Sequence, residues 1–127
     1  MANGLAQAAG TNILNALGNA TAYSVAQLYV QLHIGAPGGA GTANQATETS
    51  RKAVSFGVAT GATMVNDAAF TWTNIAGSQT PTAFTAWDAA TAGNFIFSGA
   101  VTSAAYSAGN TLNFAAGSLT VTFTIAS

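Results

Sequence analysis

Apolar residues along this chain first recur at helical spacing and then switch to alternation. From Asn3 to Leu17, Leu5, Ala9, Ile13, Leu14 and Leu17 fall where one face of a helix would place them, and Gly18 sits at the helix-terminating position. One short amphipathic helix is expected. Its apolar face is narrow and Gly10 interrupts it, so it needs either the rest of the chain or a neighbouring subunit to pack on.

Beyond it, Leu28, Val30, Leu32 and Ile34 alternate with Tyr29, Gln31 and His33, predicting a strand with one buried face. Gly35 to Asn44 has no apolar period and is dense in turn formers, so a long surface loop is expected, of the kind that contacts partners. Alternation resumes over Lys52–Val58 (Val54, Phe56, Val58), Ala69–Ile75 (Phe70, Trp72) and Pro81–Asp88 (Phe84, Trp87). It returns over Asn94–Val101, Thr111–Phe114 and Ser118–Ile125, the last setting Leu119, Val121, Phe123 and Ile125 against three threonines.

Short strands separated by Gly, Asn and Ser turns, with almost no helix among them, specify a mainly β fold. The expected architecture is an antiparallel β-sandwich or jelly-roll-like domain of about 7–8 strands. A helical or extended arm is expected over residues 1–26 and the sandwich over 27–127.

Composition sharpens what the surface must be doing. Charged residues are 4% of the 127, against roughly a quarter in an average soluble domain, and the net charge is −1. A free monomer depends on surface charge to stay dispersed, so much of this surface is expected to lie against partners. Hydrophobic residues at 50% argue against disorder. Arg51 and Lys52 are the only basic residues, too few to neutralise a row of phosphates, so nucleic acid is not an expected partner. The N-terminus lacks the pattern of a signal peptide and no apolar run reaches the ~18–20 residues of a membrane span, so a soluble chain without a membrane partner is expected.

Candidate chemistry is sparse. Cysteine is absent and His33 is the only imidazole, facing Glu48, Asp67 and Asp88 as the whole acidic complement. A nucleophile with its base, or a metal site, needs several such groups within reach of one another, and these are far apart in sequence. Asp67 and Asp88 read as turn acids bonded to local backbone. His33 reads as a surface or interface histidine on the polar side of its strand, and Arg51-Lys52 either as a local ion pair with Glu48 or as a charged contact to a partner. The Gly-rich stretch has no Gly-Lys-Ser/Thr after it and is no phosphate loop. Trp72, Phe84, Trp87, Phe95 and Phe97 suffice to fill a small core, a sugar-binding platform being the alternative use. No enzyme, no cofactor and no metal are expected.

Several segments carry a resemblance: Tyr29-Val-Gln-Leu-His-Ile34, the Gly-rich loop from Pro37, Glu48 to Phe56, Trp87 to Ala100, and Ala108 to Val121. From Tyr29 to Ile125 the chain resembles a family of small proteins from the structural gene blocks of tailed bacteriophages, variously described as tail-fibre, minor tail or capsid-decoration proteins. Relatives often approach the basic pair through a Gly-rich, Tyr-containing segment, whereas here Ala46-Thr47-Glu48-Thr49-Ser50 leads to Arg51.

The resemblance implies a virion structural role for a chain made in the host bacterial cytoplasm. The leading expectation is a capsid decoration or minor capsid protein, whose partners are the major capsid protein and copies of itself. The alternative is a minor tail or tail-fibre protein that meets a host-surface glycan, and the third reading is a carbohydrate-binding module. Expected partner contacts are Leu5, Ile13, Leu17, His33, Pro37, Arg51 and Lys52.

Overall fold

The computed structural model describes residues 4–102, 105–124 and 126, so the expectations for Asn3 and Ile125 lie outside the described residues. In chain order the elements are α1 (Gln7–Gly18), β1 (Leu28–His33), β2 (Lys52–Val54), β3 (Thr63–Val65), β4 (Phe70–Trp72), β5 (Ala83–Trp87), β6 (Phe95–Val101), β7 (Leu112–Phe114) and β8 (Leu119–Thr122). The fold is mainly β and antiparallel, with one short N-terminal helix, as the alternation predicts.

Six strands form one sheet in the order β2-β1-β5-β6-β8-β3, while β4 and β7 form a separate ribbon. The large sheet curls into a half-barrel, giving a sandwich-like domain. Past β2 its two edges meet: Gly57 N–H donates to the Val65 carbonyl at 2.9 Å and Asp67 N–H to the Ser55 carbonyl at 3.1 Å. Pairing those groups shortens the free strand edge, which is a template for unwanted association.

Residues opposite one another in an antiparallel ladder share a face. The register therefore puts Val30 with Ala86, Leu32 with Phe84, Ala86 with Phe97, Val101 with Leu119 and Met64 with Val121 on one side. These residues form the core, and the ribbon adds Trp72, Leu112 and Phe114 to it. Phe56 stacks on Phe84 with centroids 6.1 Å apart and meets Phe97 edge-on at 5.7 Å. Each such side chain contributes about 1.5–3 kcal/mol by leaving water, which makes this layer the main source of stability.

The opposite face of the sheet is covered too, which alternation does not predict. Gln31, His33, Thr85 and Ser98 are buried on it. Gly4–Ala6 pairs beside the half of β6 that β8 does not reach, with Ala6 N–H on the Ile96 carbonyl and Ser98 N–H on the Gly4 carbonyl, both at 2.8 Å, and its Gly4 N–H donates to the Ser98 hydroxyl at 3.0 Å. The Gly35–Asn44 stretch, expected as a surface loop, instead folds back: Ala43 N–H donates to the Pro37 carbonyl, Ile34 N–H to that of Asn44, and Pro37 and Gly41 are buried. Gly41 has a φ of +72° and lies flat against Phe95, where a Cβ would come within 2.8 Å of the ring, so both conformation and space require glycine.

One further expectation is corrected, and two features are added by the structure. The strand predicted over Lys52–Val58 ends at Val54, since the next residues leave to pair with residues 65–67, and Val58 is 95% exposed. Strand β3 was not expected: it is three residues long and is set by pairing with β8 and by a two-residue turn at Gly61-Ala62, with φ of 58° and 62°. In α1 only Ala9 is buried, while Leu14 and Leu17 are 69% and 79% exposed. The helix docks through its small side chains, because its entry through Ala6 is pinned to β6 and this turns the leucines outward.

Candidate functional site

The buried polar face centres on His33. Its Nδ1 lies 2.8 Å from the Ala43 carbonyl and its Nε2 lies 3.0 Å from Thr85 Oγ1. A carbonyl only accepts, so Nδ1 carries the proton and Nε2 accepts from the Thr85 hydroxyl. That hydroxyl oxygen in turn accepts from Trp87 Nε1 at 2.8 Å. Desolvation holds the imidazole pKa below its ordinary value, partly countered by the Ala43 carbonyl, and the neutral ring is left with both nitrogens satisfied. The residue expected at the surface is thus a buried strut between the folded-back loop and the sheet. Reactive use of it has no geometric basis.

Arg51 packs over the same patch. Its Cζ lies 4.0 Å from the centroid of a Trp87 ring, its NH1 donates to the Ala89 and Ala92 carbonyls at 2.9 and 2.6 Å, and its Nε donates to Gln31 Oε1 at 3.3 Å. The guanidinium therefore holds the 88–94 turn closed, and Arg51 makes these contacts within the chain in place of either expected role, the ion pair with Glu48 or a contact to a partner.

The three acids are occupied separately. Asp88 accepts from Asn94 N–H at 2.7 Å and from Asn94 Nδ2 at 2.9 Å, the local turn role expected of it. Those bonds hold its carboxyl below the ordinary carboxylate range. Asp67 accepts from the Ser55 hydroxyl across the closed sheet edge, a longer-range role than the local one expected. Glu48 is buried and accepts from Ser50 N–H, the Ser50 hydroxyl and Ala76 N–H. Burial raises its pKa, and these bonds together with nearby Lys52 outweigh burial and leave it lowered. Among the described residues no three His, Asp or Glu side chains gather as a metal site, and no buried side-chain nitrogen or oxygen lacks a partner.

Of the seven expected contact residues, His33 and Pro37 are buried inside the fold. Ile13, Arg51 and Lys52 are half-buried, while Leu5 and Leu17 are exposed. Leu14, exposed beside Leu17, belongs with them, and the same helical spacing that marked Leu17 could have marked it.

A groove that no sequence pattern marks lies between α1, the 23–26 segment, the folded-back loop and the 88–95 turn. It consists of two adjoining cavities of about 370 and 550 Å³ that share Ala8, Asn12, Asn94 and Phe95. Tyr23 and Asp88 line the first, Gln7 and Thr11 the second.

A protein-family model described as podophage GP4 fiber I protein gp80 matches residues 4–122. No curated protein matches the chain.

Proposed function

The chain belongs to the podophage GP4 fiber I protein gp80 family, one of tailed-phage virion structural proteins, and on that premise we propose that it is a structural subunit of the tail fibre. The observation that carries this reading is the fibre-family match over residues 4–122. A resemblance shared by shell and tail proteins does not separate the two locations, whereas a fibre family favours the tail. With it, copies of this chain and other fibre chains replace the major capsid protein as the partners.

The surface supports a role in assembly. Five charged residues in 127 suit large permanent contacts better than a dispersed monomer. Leu5, Leu14 and Leu17, exposed on the N-terminal segment, and half-buried Ile13 are the proposed contacts, with half-buried Lys52 as the charged one. The role is non-catalytic, in keeping with acids and a histidine that are each bound into the fold.

Quantitative mass spectrometry of purified particles, read against the major capsid protein, tests the proposal together with antibody labelling in electron micrographs. A handful to a few tens of copies, with label on the tail, is the expected result. Hundreds of copies with label over the shell would return the protein to capsid decoration, and absence from particles would end the virion assignment.

A further inference from the structure

We infer that residues 4–9 are exchanged between copies of this chain, the N-terminal segment of one copy pairing with β6 of its neighbour. The inference deepens the fibre reading, from which it takes only the presence of neighbouring copies. How they join follows from the way this segment is held.

Half of one β6 edge has no partner within the sheet. Strand β8 reaches Ala100 and Val101, and the edge from Ile96 to Ser98 is paired by Gly4–Ala6 instead. That seat is specific: two backbone hydrogen bonds at 2.8 Å and the Ser98 hydroxyl at 3.0 Å hold the segment, and Ala6 and Ala9 are buried in it. Left open, an edge beside buried Ile96 and Phe97 would accept any strand, so it has to be filled. The segment that fills it is joined loosely to its own body. From Gly10 to Gln27 no residue is buried, and among the described residues no hydrogen bond ties residues 10–26 to the sheets. Cavities of about 370 and 550 Å³ lie between α1 and the rest of the fold.

The connector is long enough for the crossing. After α1 the chain rejoins the core at Val25, which leaves residues 19–24 as the hinge. Extended, they span about 20 Å, and the 12 residues of α1 add about 18 Å, against a radius of gyration of about 14 Å for a chain of this length. Ala20 sits in that hinge at a φ of +49°, a strained conformation for a residue with a Cβ, which straightening on exchange would release. No acidic or basic side chain occurs from Met1 to Leu32 or after Asp88, so segment and seat meet without like-charge repulsion. Every contact made within a copy is remade between copies, and concentration decides between the two arrangements. Within one chain the segment competes at an effective concentration on the order of millimolar, which copies side by side in an assembly match and a dilute chain does not. Exchange also carries α1 between two copies, where exposed Leu14 and Leu17 gain a surface to pack on.

The test exploits a chain that has no cysteine of its own. Gly4→Cys combined with Ser98→Cys sets two thiols across the seat, and a Cβ on Gly4 meets nothing within 4 Å. Oxidised at about 10 µM, the double variant should close the bond within one chain; at about 1 mM, or in purified particles, it should link chains into dimers or longer ladders on gels run without reductant. The unaltered chain gives a second reading that needs no substitution. Labelled and unlabelled copies are mixed, incubated at about 1 mM and examined by isotope-filtered NOE spectroscopy, and contacts from the Ala6 methyl of one copy to Ile96 and Phe97 of another are expected. Bonds closed only within single chains at both concentrations and in particles, or NOEs confined to one copy, would overturn the inference. Location in particles is read separately: exchange in a protein found on the shell would leave this inference standing and end the fibre reading.

Discussion

Arg51 and His33 show how a single side chain can be fully legible as a residue type and illegible in role. Both were marked by their rarity, yet rarity does not say whether a group faces out or in. Each is turned inward by a segment distant in sequence, the 88–94 turn for Arg51 and the 35–44 stretch for His33. Arg51→Ala should cost about 1–2 kcal/mol in urea unfolding, after allowing for its partial exposure, with Lys failing to restore it because an ammonium cannot span two carbonyls and a ring. For His33 the sign follows from its lowered pKa. The unfolded imidazole titrates near pH ~6.5, so below that the unfolded state binds more protons and stability falls; above it the contribution is fully present. The urea midpoint should therefore be flat above about pH 7 and decline toward pH 5, a slope that His33→Gln removes. Glu48 and Asp88, held low, add a second loss only as the pH falls below about 4.

At the scale of elements, α1 is the one whose covering was left open between the rest of the chain and a neighbouring subunit. Helical spacing located it, and the fold buries Ala6 and Ala9 while leaving Leu14 and Leu17 exposed. Periodicity identifies an amphipathic face without saying whether the same chain or another covers it. Replacing Leu14 and Leu17 together with Gln should leave the melting temperature of the isolated chain within about 2 °C of the parent, because neither residue leaves water on folding. The same variant should fail to incorporate into particles, measured by mass spectrometry after complementation. A fall in melting temperature of about 5 °C or more would instead make the leucines part of the chain's own core. Strand β3 escaped notice for a different reason: three residues carry too little alternation, and its partner β8 lies more than fifty residues further on.

For the molecule as a whole, the near absence of charge sets the behaviour. Apolar burial and neutral hydrogen bonds hold the fold, and neither is screened by salt. The melting temperature should move by less than about 3 °C between low salt and 0.5 M sodium chloride, while sodium sulfate should raise it by strengthening apolar burial. A marked dependence on sodium chloride would mean that the few charged groups, Arg51 foremost, contribute more than their number suggests.

The class of fold, the placement of most strands, the aromatic core and the poverty of reactive groups were all legible along the chain. These depend on local alternation and on composition, which read directly along the chain. It took the folded chain to show that both faces of the sheet are covered, that the glycine-rich stretch folds back over His33, that the sheet edges meet at residues 55–57 and 65–67, and that a polar groove opens beside α1. Each depends on pairing between segments far apart in the chain, where the hydrogen bonds are made by backbone groups that every residue carries alike.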